Sequence, residues 1–309
     1  MAETSRPDFR SERVKLPPEA FAYAPGPEPE PSDLIDAETW RSIIFLPDDV
    51  SIRTSDHYGT VLKRGHDTWG YWVSFVLDIQ SLVEEPRDDP LALASLVVSD
   101  ELQASVYAAL TGFYRQSISV LRSAVDAIVA GAYFRAAADP EAFAQWADGH
   151  REGQLWMVDV RKKLSVVDPY RRFEAADDDS DVGATLLGRS GWLNFLYEHL
   201  SGFSHGRPFY VGRSGNRLPS SNVELWGGSN GPVFEPRSVE LWSRFYFDVA
   251  LLCVLMAGLA DTRLLSIERP AEMSYTQFLD RLIEWHEAPF ASVARRIAAF
   301  LLDSQQNSR

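Results

Sequence analysis

Apolar residues recur at helical spacing through most of the chain, and the elements they predict are long. Between residues 55 and 85, Tyr58, Val61, Leu62, Trp69, Trp72, Val73, Val76, Ile79 and Val83 keep the 3.6-residue period, which predicts one long helix. A second is predicted from Ser99 to about Ala138, with Ser99 as N-cap and Asp100 and Glu101 in the positively polarised first turn. It divides by face. Thr111, Arg115, Ser119, Arg122 and Asp126 fall within roughly a quarter of the circumference at ~100° per residue, while Tyr107, Leu110, Tyr114, Leu121, Val125 and Ile128 occupy much of the rest. Asp139-Pro140 and Asp168-Pro169 each read as an N-cap followed by proline at the first helical position, so two further helices, the second short, are expected there.

A third patterned helix ends in polar side chains. Leu193, Leu196, Leu200 and Phe203 share one face, and Asn194, Tyr197, Ser201 and His205 share the other. Gly206 and Pro208 supply the stop, which puts His205 at or near the helix C-terminus. Residues 209–236 change character, with short β-prone runs around Gly227-Gly228-Ser229-Asn230-Gly231, and predict a small β excursion of hairpin type. A hydrophobic helix follows from about 236 to 265, then a helical pair from 275 to 303 broken near Pro289. Upstream, residues 33–45 predict a short helix with Trp40, Ile43 and Ile44 as apolar contacts, ended before Pro47. Residues 1–32, rich in Pro and Glu, predict a flexible, disordered N-terminal arm. The expected architecture is mainly α: an up-and-down helical bundle forming a single domain over residues 33–305.

Composition narrows the partners. The chain of 309 residues has a formal charge of −14 and a pI near 4.9, which disfavours broad nonspecific DNA binding and anionic membranes. The local exception is residues 205–217, where Arg207, Arg213 and Arg217 occur with no acidic residue, a basic patch able to meet RNA. Cys253 is the single cysteine and lies in an apolar run, so a buried inert thiol and a cytoplasmic location are expected. That run, residues 249–260, is shorter than the ~20 residues of a membrane span, and no membrane association is expected.

The motifs thin out on inspection. Gly202-Phe203-Ser204-His205-Gly206 has the letters of a nucleophile elbow but follows a helical pattern where the elbow needs a strand. Asp177-Asp178-Asp179-Ser180-Asp181 starts like a calcium loop and lacks the glycine at the sixth position and the glutamate at the twelfth, so it reads as a solvated loop. His199 and His205 sit on different helical faces, no phosphate loop or dinucleotide fingerprint occurs, and neither metal nor cofactor is expected.

What remains is one constellation. If the two polar helix faces meet, Asp126 can orient His205 while Arg122 and Arg207 hold a phosphate, the arrangement for proton transfer beside an anion. His205, Arg122, Asp126 and Tyr197 are the candidate catalytic residues, and Arg115, Ser201, Arg207, Arg213 and Arg217 the candidate substrate-binding set. The competing reading is structural: Arg122 and Asp126 at i,i+4 form an ion pair, and a histidine at a helix C-terminus is favoured by the macrodipole.

The segments 114–126 and 197–206 resemble the HEPN-like helical superfamily, particularly its prokaryotic abortive-infection members. The first resembles the family's long helix with an arginine and an acidic residue one turn apart, and the second its core helix ending in histidine, which sets a HEPN-like core at about 99–208. The resemblance implies a toxin-like protein of stress or phage defence, a homodimer, binding RNA and cleaving it without metal around His205. The family's Arg-x(4 to 6)-His motif is departed from: its arginine positions hold Glu198, His199 and Leu200, so only His205 carries over, and Arg122 or Arg115 would have to supply the cation. The alternative it leaves open is a non-catalytic HEPN-like scaffold or oligomerisation module with a structural polar network at the same residues.

Overall fold

A computed structural model gives the fold and describes residues 36–149, 155–174, 185–188, 191–204, 209–211, 217–219, 232–266, 274–285 and 290–306. The described chain is mainly helical and divides into two compact units, residues 1–45 and 46–309. In the first, Ala37–Trp40 (α1) runs on as a π-helix over Arg41–Phe45. Asp36 caps it, accepting from the Glu38 and Thr39 amides at 3.0 and 2.9 Å and from the Thr39 hydroxyl at 2.8 Å. The Thr39 amide, then its hydroxyl, hold the Asp36 carboxyl below its ordinary value.

The second unit contains Leu46–Ser81 (α2), Pro90–Leu110 (α3), Tyr114–Ala137 (α4), Pro140–Ala147 (α5), Met157–Leu164 (α6) and Trp192–Ser204 (α7). Phe209–Val211 (β1) and Arg217–Pro219 (β2) pair antiparallel, Tyr210 opposite Leu218. Pro236–Ala260 (α8), Tyr275–Trp285 (α9) and Ala291–Gln306 (α10) follow. The centre is α4, which packs on α3, α8, α7 and α6. Its apolar face supplies Tyr114, Ile118, Leu121, Val125 and Ile128, all fully buried. Two tryptophans and a tyrosine in this core direct their polar atoms to acceptors: Trp242 Nε1 donates to Ser105 Oγ at 2.9 Å, Trp72 Nε1 to the Ser95 carbonyl at 3.0 Å and the Tyr246 hydroxyl to the Gly65 carbonyl at 2.8 Å.

The helices at positions 114–137 and 236–260 are long and apolar enough, by composition, to cross a membrane, which the uninterrupted run alone did not suggest. Their apolarity matches burial within the fold, at 67% and 78% of their most apolar windows.

Several boundaries differ from the sequence expectation. The single helix expected over 99–138 is two, because the chain reverses between them. Thr111 ends α3, its amide donating to the Tyr107 carbonyl at 3.1 Å and its hydroxyl to the same oxygen at 2.9 Å. Gly112 then takes φ 83°, a left-handed value open to glycine. The cap of α3 is Asp89 rather than Ser99: Asp89 Oδ1 accepts from the Leu91 and Ala92 amides, both at 2.9 Å, and Pro90 follows at the first position. Asp139-Pro140 does open α5, Asp139 accepting from the Ala142 amide at 3.0 Å. Asp168-Pro169 opens no α-helix. Tyr170–Phe173 is a 3-10 turn, and Asp168 instead meets Arg171 at 3.1 Å and Arg172 at 3.7 Å. The helix expected from residue 55 begins at Leu46, with Pro47 tolerated in its first turn, and kinks at Tyr58. The N-terminal arm, the acidic loop at 177–181 and the Gly206-Pro208 stop lie outside the described residues.

The reversal at Gly112 is tight as well as left-handed. A Cβ there would stand 2.6 Å from the Val233 carbonyl oxygen and 2.7 Å from its nitrogen. Gly112→Ala should therefore lower the thermal midpoint, costing at least the ~1–2 kcal/mol of a side chain in this conformation. Gly70→Ala, within α2 and with nothing inside 4 Å of the added carbon, should raise it. Thermal unfolding of both variants checks the contrast.

Candidate functional site

The two polar faces do meet. Arg115 and Ser119, in the first half of α4, meet the last turn of α7, and Arg122, further along, meets residues nearer its middle, so the helices pack antiparallel. Arg115 Nε donates to the Phe203 carbonyl at 3.2 Å, Ser119 and Ser204 hydroxyls lie 3.4 Å apart, and Arg122 reaches Ser201 and Tyr197. The i, i+4, i+7, i+11 spacing of Arg115, Ser119, Arg122 and Asp126 puts all four side chains on the strip of α4 that covers α7.

Arg122 is the centre of the seam. Its Nη1 donates to the Ser201 hydroxyl and its Nη2 to the Tyr197 hydroxyl, and its guanidinium carbon lies 3.8 Å from the Tyr197 ring centroid. Its Nε stands 3.4 Å from Asp126 Oδ2, and the side chain is only 16% exposed. Ser201 in turn donates to the Tyr197 carbonyl, so the acceptor is itself oriented by its own helix. The two terminal nitrogens are thus taken by α7, while Nε lies beside the carboxylate one turn along α4 without a hydrogen bond to it.

Asp126 is less completely matched. Its Oδ1 is buried without a hydrogen-bond partner. Burial raises its carboxyl above the ordinary value, against the opposing charge of Arg122. Tyr197 is also pushed up, first by burial and then by the Asp126 charge, with Arg122 and Arg161 acting the other way.

A second arginine holds the other edge of α7, and the sequence reading missed it. Arg161 of α6 donates from Nη1 to Asn194 Oδ1 at 2.5 Å, and Asn194 Nδ2 donates to Glu198 at 3.3 Å. Beside it, Glu174 accepts from the Leu187 amide at 2.7 Å. Burial pushes the Glu174 carboxyl up to about 7, against the Leu187 amide and the Arg161 charge. Arg161, Lys162, Ser165, Glu174, Leu187 and Val158 line a cavity of about 390 Å³. The only trace of this in the sequence is the run Arg161-Lys162-Lys163, which periodicity alone reads as a solvated face.

His199 faces elsewhere. Its Nδ1 lies 2.8 Å from the Phe195 carbonyl, its ring packs at 3.8 Å from that of Phe195, and burial lowers its pKa. His205, Arg207 and Arg213 fall outside the described residues, and Arg217 opens β2 opposite Val211. Among the described residues the structure brings Arg115, Arg122, Asp126, Tyr197 and Ser201 together.

These features define a helical bundle with a buried polar seam between two core helices. No protein-family model, curated protein or solved structure matches the chain.

The Arg122 fork should be worth more than any one of its partners. Tyr197→Phe and Ser201→Ala should each destabilise by about 1.5–3 kcal/mol, and Arg122→Ala by more. Arg122→Lys should not restore the loss, because a single ammonium cannot span both hydroxyls. Urea unfolding, with a double-mutant cycle over Arg122 and Tyr197, measures the coupling.

Glu174 predicts a pH slope. A carboxyl raised in the folded state keeps its proton there after the unfolded chain has released it, so its contribution to stability falls as pH rises from 4.5 to about 7. Relative to Glu174→Gln, the wild type should lose stability across that window and run parallel to the variant outside it, as measured by denaturation at fixed pH steps.

Proposed function

We propose that the chain is a non-catalytic helical module of HEPN-like type, a homo-oligomeric scaffold in prokaryotic stress or phage defence, with the Arg122 seam holding its two core helices in register. The observation that carries this reading is the inward-turned guanidinium: Arg122 donates from both terminal nitrogens to Tyr197 and Ser201, lies beside Asp126, and is largely withdrawn from solvent. A cation that holds RNA phosphate presents its fork outward. The pairing of an arginine and an acidic residue one turn apart on α4, against a helix leading to His205, supports the HEPN-like type.

RNA cleavage around His205 is the second reading, and one observation favours it. Arg115 donates to the Phe203 carbonyl in the last turn of α7, two positions before His205 in the chain, where a cation from the neighbouring helix is needed. Incubating the purified chain with total RNA in EDTA separates the two. The scaffold reading expects intact RNA at every salt concentration. Cleavage by the wild type that disappears in both His205→Ala and Arg115→Ala, with folding retained by circular dichroism, overturns it.

A further inference from the structure

The cavity of about 390 Å³ beside α6 has two walls. One is a stripe of α6 continued into its cap: Val158, Arg161, Lys162 and Ser165 stand at i, i+3, i+4 and i+7, so two cations and a hydroxyl share one face. The other is Glu174 with Leu187 and Gly188. The backbone fixes this carboxyl, since Oε1 accepts from the Leu187 amide at 2.7 Å. Oε2 makes no hydrogen bond among the described residues, and unlike Asp126 Oδ1 it is not sealed from solvent. A Cβ on Gly188 would lie 3.6 Å from it, which sets Oε2 beside another residue of the same wall.

The charges around this space select the sign of a ligand. Arg161 and Lys162 are the charged groups that share the cavity with Glu174 among the described lining residues, while Arg171 and Arg172 of its own turn pair with Asp168. Lys162 is accessible: its side chain is 75% exposed, and its contact with exposed Asp159 is long, at 3.9 Å, which holds an ammonium only weakly. Arg161 spends Nη1 on the neutral oxygen of Asn194, so that bond leaves its charge uncancelled. Nor does the single carboxyl cancel both cations near neutrality. Burial pushes Glu174 up to about 7, against the Leu187 amide and the Arg161 charge, and because Oε1 accepts that amide, the retained proton sits on Oε2. A cationic ligand would face Arg161 and Lys162. An anionic one meets two positive charges and an acid O–H, while Val158 and Leu187 offer apolar surface to its body. The volume falls in the range of small-molecule pockets.

We infer that this cavity is a binding site for a small organic carboxylate, its anionic oxygens on the Lys162 ammonium and Glu174 Oε2 beside the Arg161 charge, its apolar body against Val158 and Leu187. The site is independent of whether the chain cleaves RNA or serves as a scaffold, since it uses neither His205 nor Arg115 nor the Arg122 seam.

The test is calorimetric titration of the full chain at pH 6 with benzoate and hexanoate, each beside its amide and its amine of matched shape: benzamide and hexanamide, benzylamine and hexylamine. At least one carboxylate should bind, with its amide and its amine at least about tenfold weaker, the discrimination expected of charge-assisted bonds. Lys162→Glu, at an exposed position where the melting temperature should be kept, should lose at least about tenfold in carboxylate affinity. Lys163→Glu makes the same charge change one residue on, where the ammonium meets the Tyr133 hydroxyl at 2.9 Å instead of lining the cavity, and should retain the affinity. Between pH 6 and pH 8 the wild type should weaken by about tenfold as Glu174 releases its proton, while Glu174→Gln, which keeps a donor, should not. No heat with either carboxylate, equal affinity for the amide, equal losses in Lys162→Glu and Lys163→Glu, or a wild-type affinity unchanged between pH 6 and pH 8 would each overturn the assignment.

Discussion

A guanidinium taken out of water is costly unless its N–H groups find acceptors, and the packing of α7 onto α4 is shaped by the two terminal nitrogens of Arg122, whose acceptors lie on α7, while Nε, buried without a hydrogen bond, has only the nearby Asp126 charge. The fork fixes more than one degree of freedom. Two hydroxyls one turn apart, on Tyr197 and Ser201, set the translation of α7 along α4, and the ring beneath the guanidinium sets its rotation. Apolar contacts alone would allow neighbouring registers, because leucines one turn apart fill similar holes. The polar stripe discriminates: slipping α7 by a turn would leave a charged group buried without its partners, at a cost of several kcal/mol. Leu193, Leu196, Leu200 and Phe203 supply the burial on the opposite face of the same helix, so adhesion and register come from different sides of α7.

The same solution is used at the other end of α4. Arg135, in its last turn, bridges Asp89 at the start of α3 and Asp261 at the end of α8, the latter at 2.8 Å. Asp89 is simultaneously the N-cap of α3, so one carboxylate satisfies two backbone amides and one guanidinium. Burial would raise the Asp261 carboxyl, but hydrogen bonds and charge from Arg263, with the Arg135 charge, outweigh it and hold it below its ordinary value. The ends of three helices thereby meet at one ion-pair cluster, in which Asp89 also satisfies two first-turn amides of α3.

Which parts were legible in the sequence follows from range. Faces of a helix repeat every few residues, so Arg115, Ser119, Arg122 and Asp126 could be placed on one strip, and Tyr197 and Ser201 on another, before any contact was known. The break between α3 and α4 was hidden because Tyr107, Leu110 and Tyr114 continue the apolar period through it. Only Gly112 marked the turn, and its necessity comes from Val233, more than a hundred residues away. Ser99, followed by two acids, has the pattern of a cap but lies inside α3, whereas Asp89-Pro90 carries the same signature that opens α5 at Asp139-Pro140. Arg161 was illegible for a different reason. Its partner Asn194 lies on another helix, and an eight-residue helix holds too few turns for its faces to show in the pattern.

Arg122 and Arg161 donate to neutral oxygens of Ser201, Tyr197 and Asn194, and Arg122 also lies beside Asp126, so these two cations are held against the protein itself. Arginine suits this internal use where lysine does not. Its planar fork reaches two acceptors on one helix while its methylene stem packs among apolar neighbours, so charge, register and core filling are obtained from a single side chain.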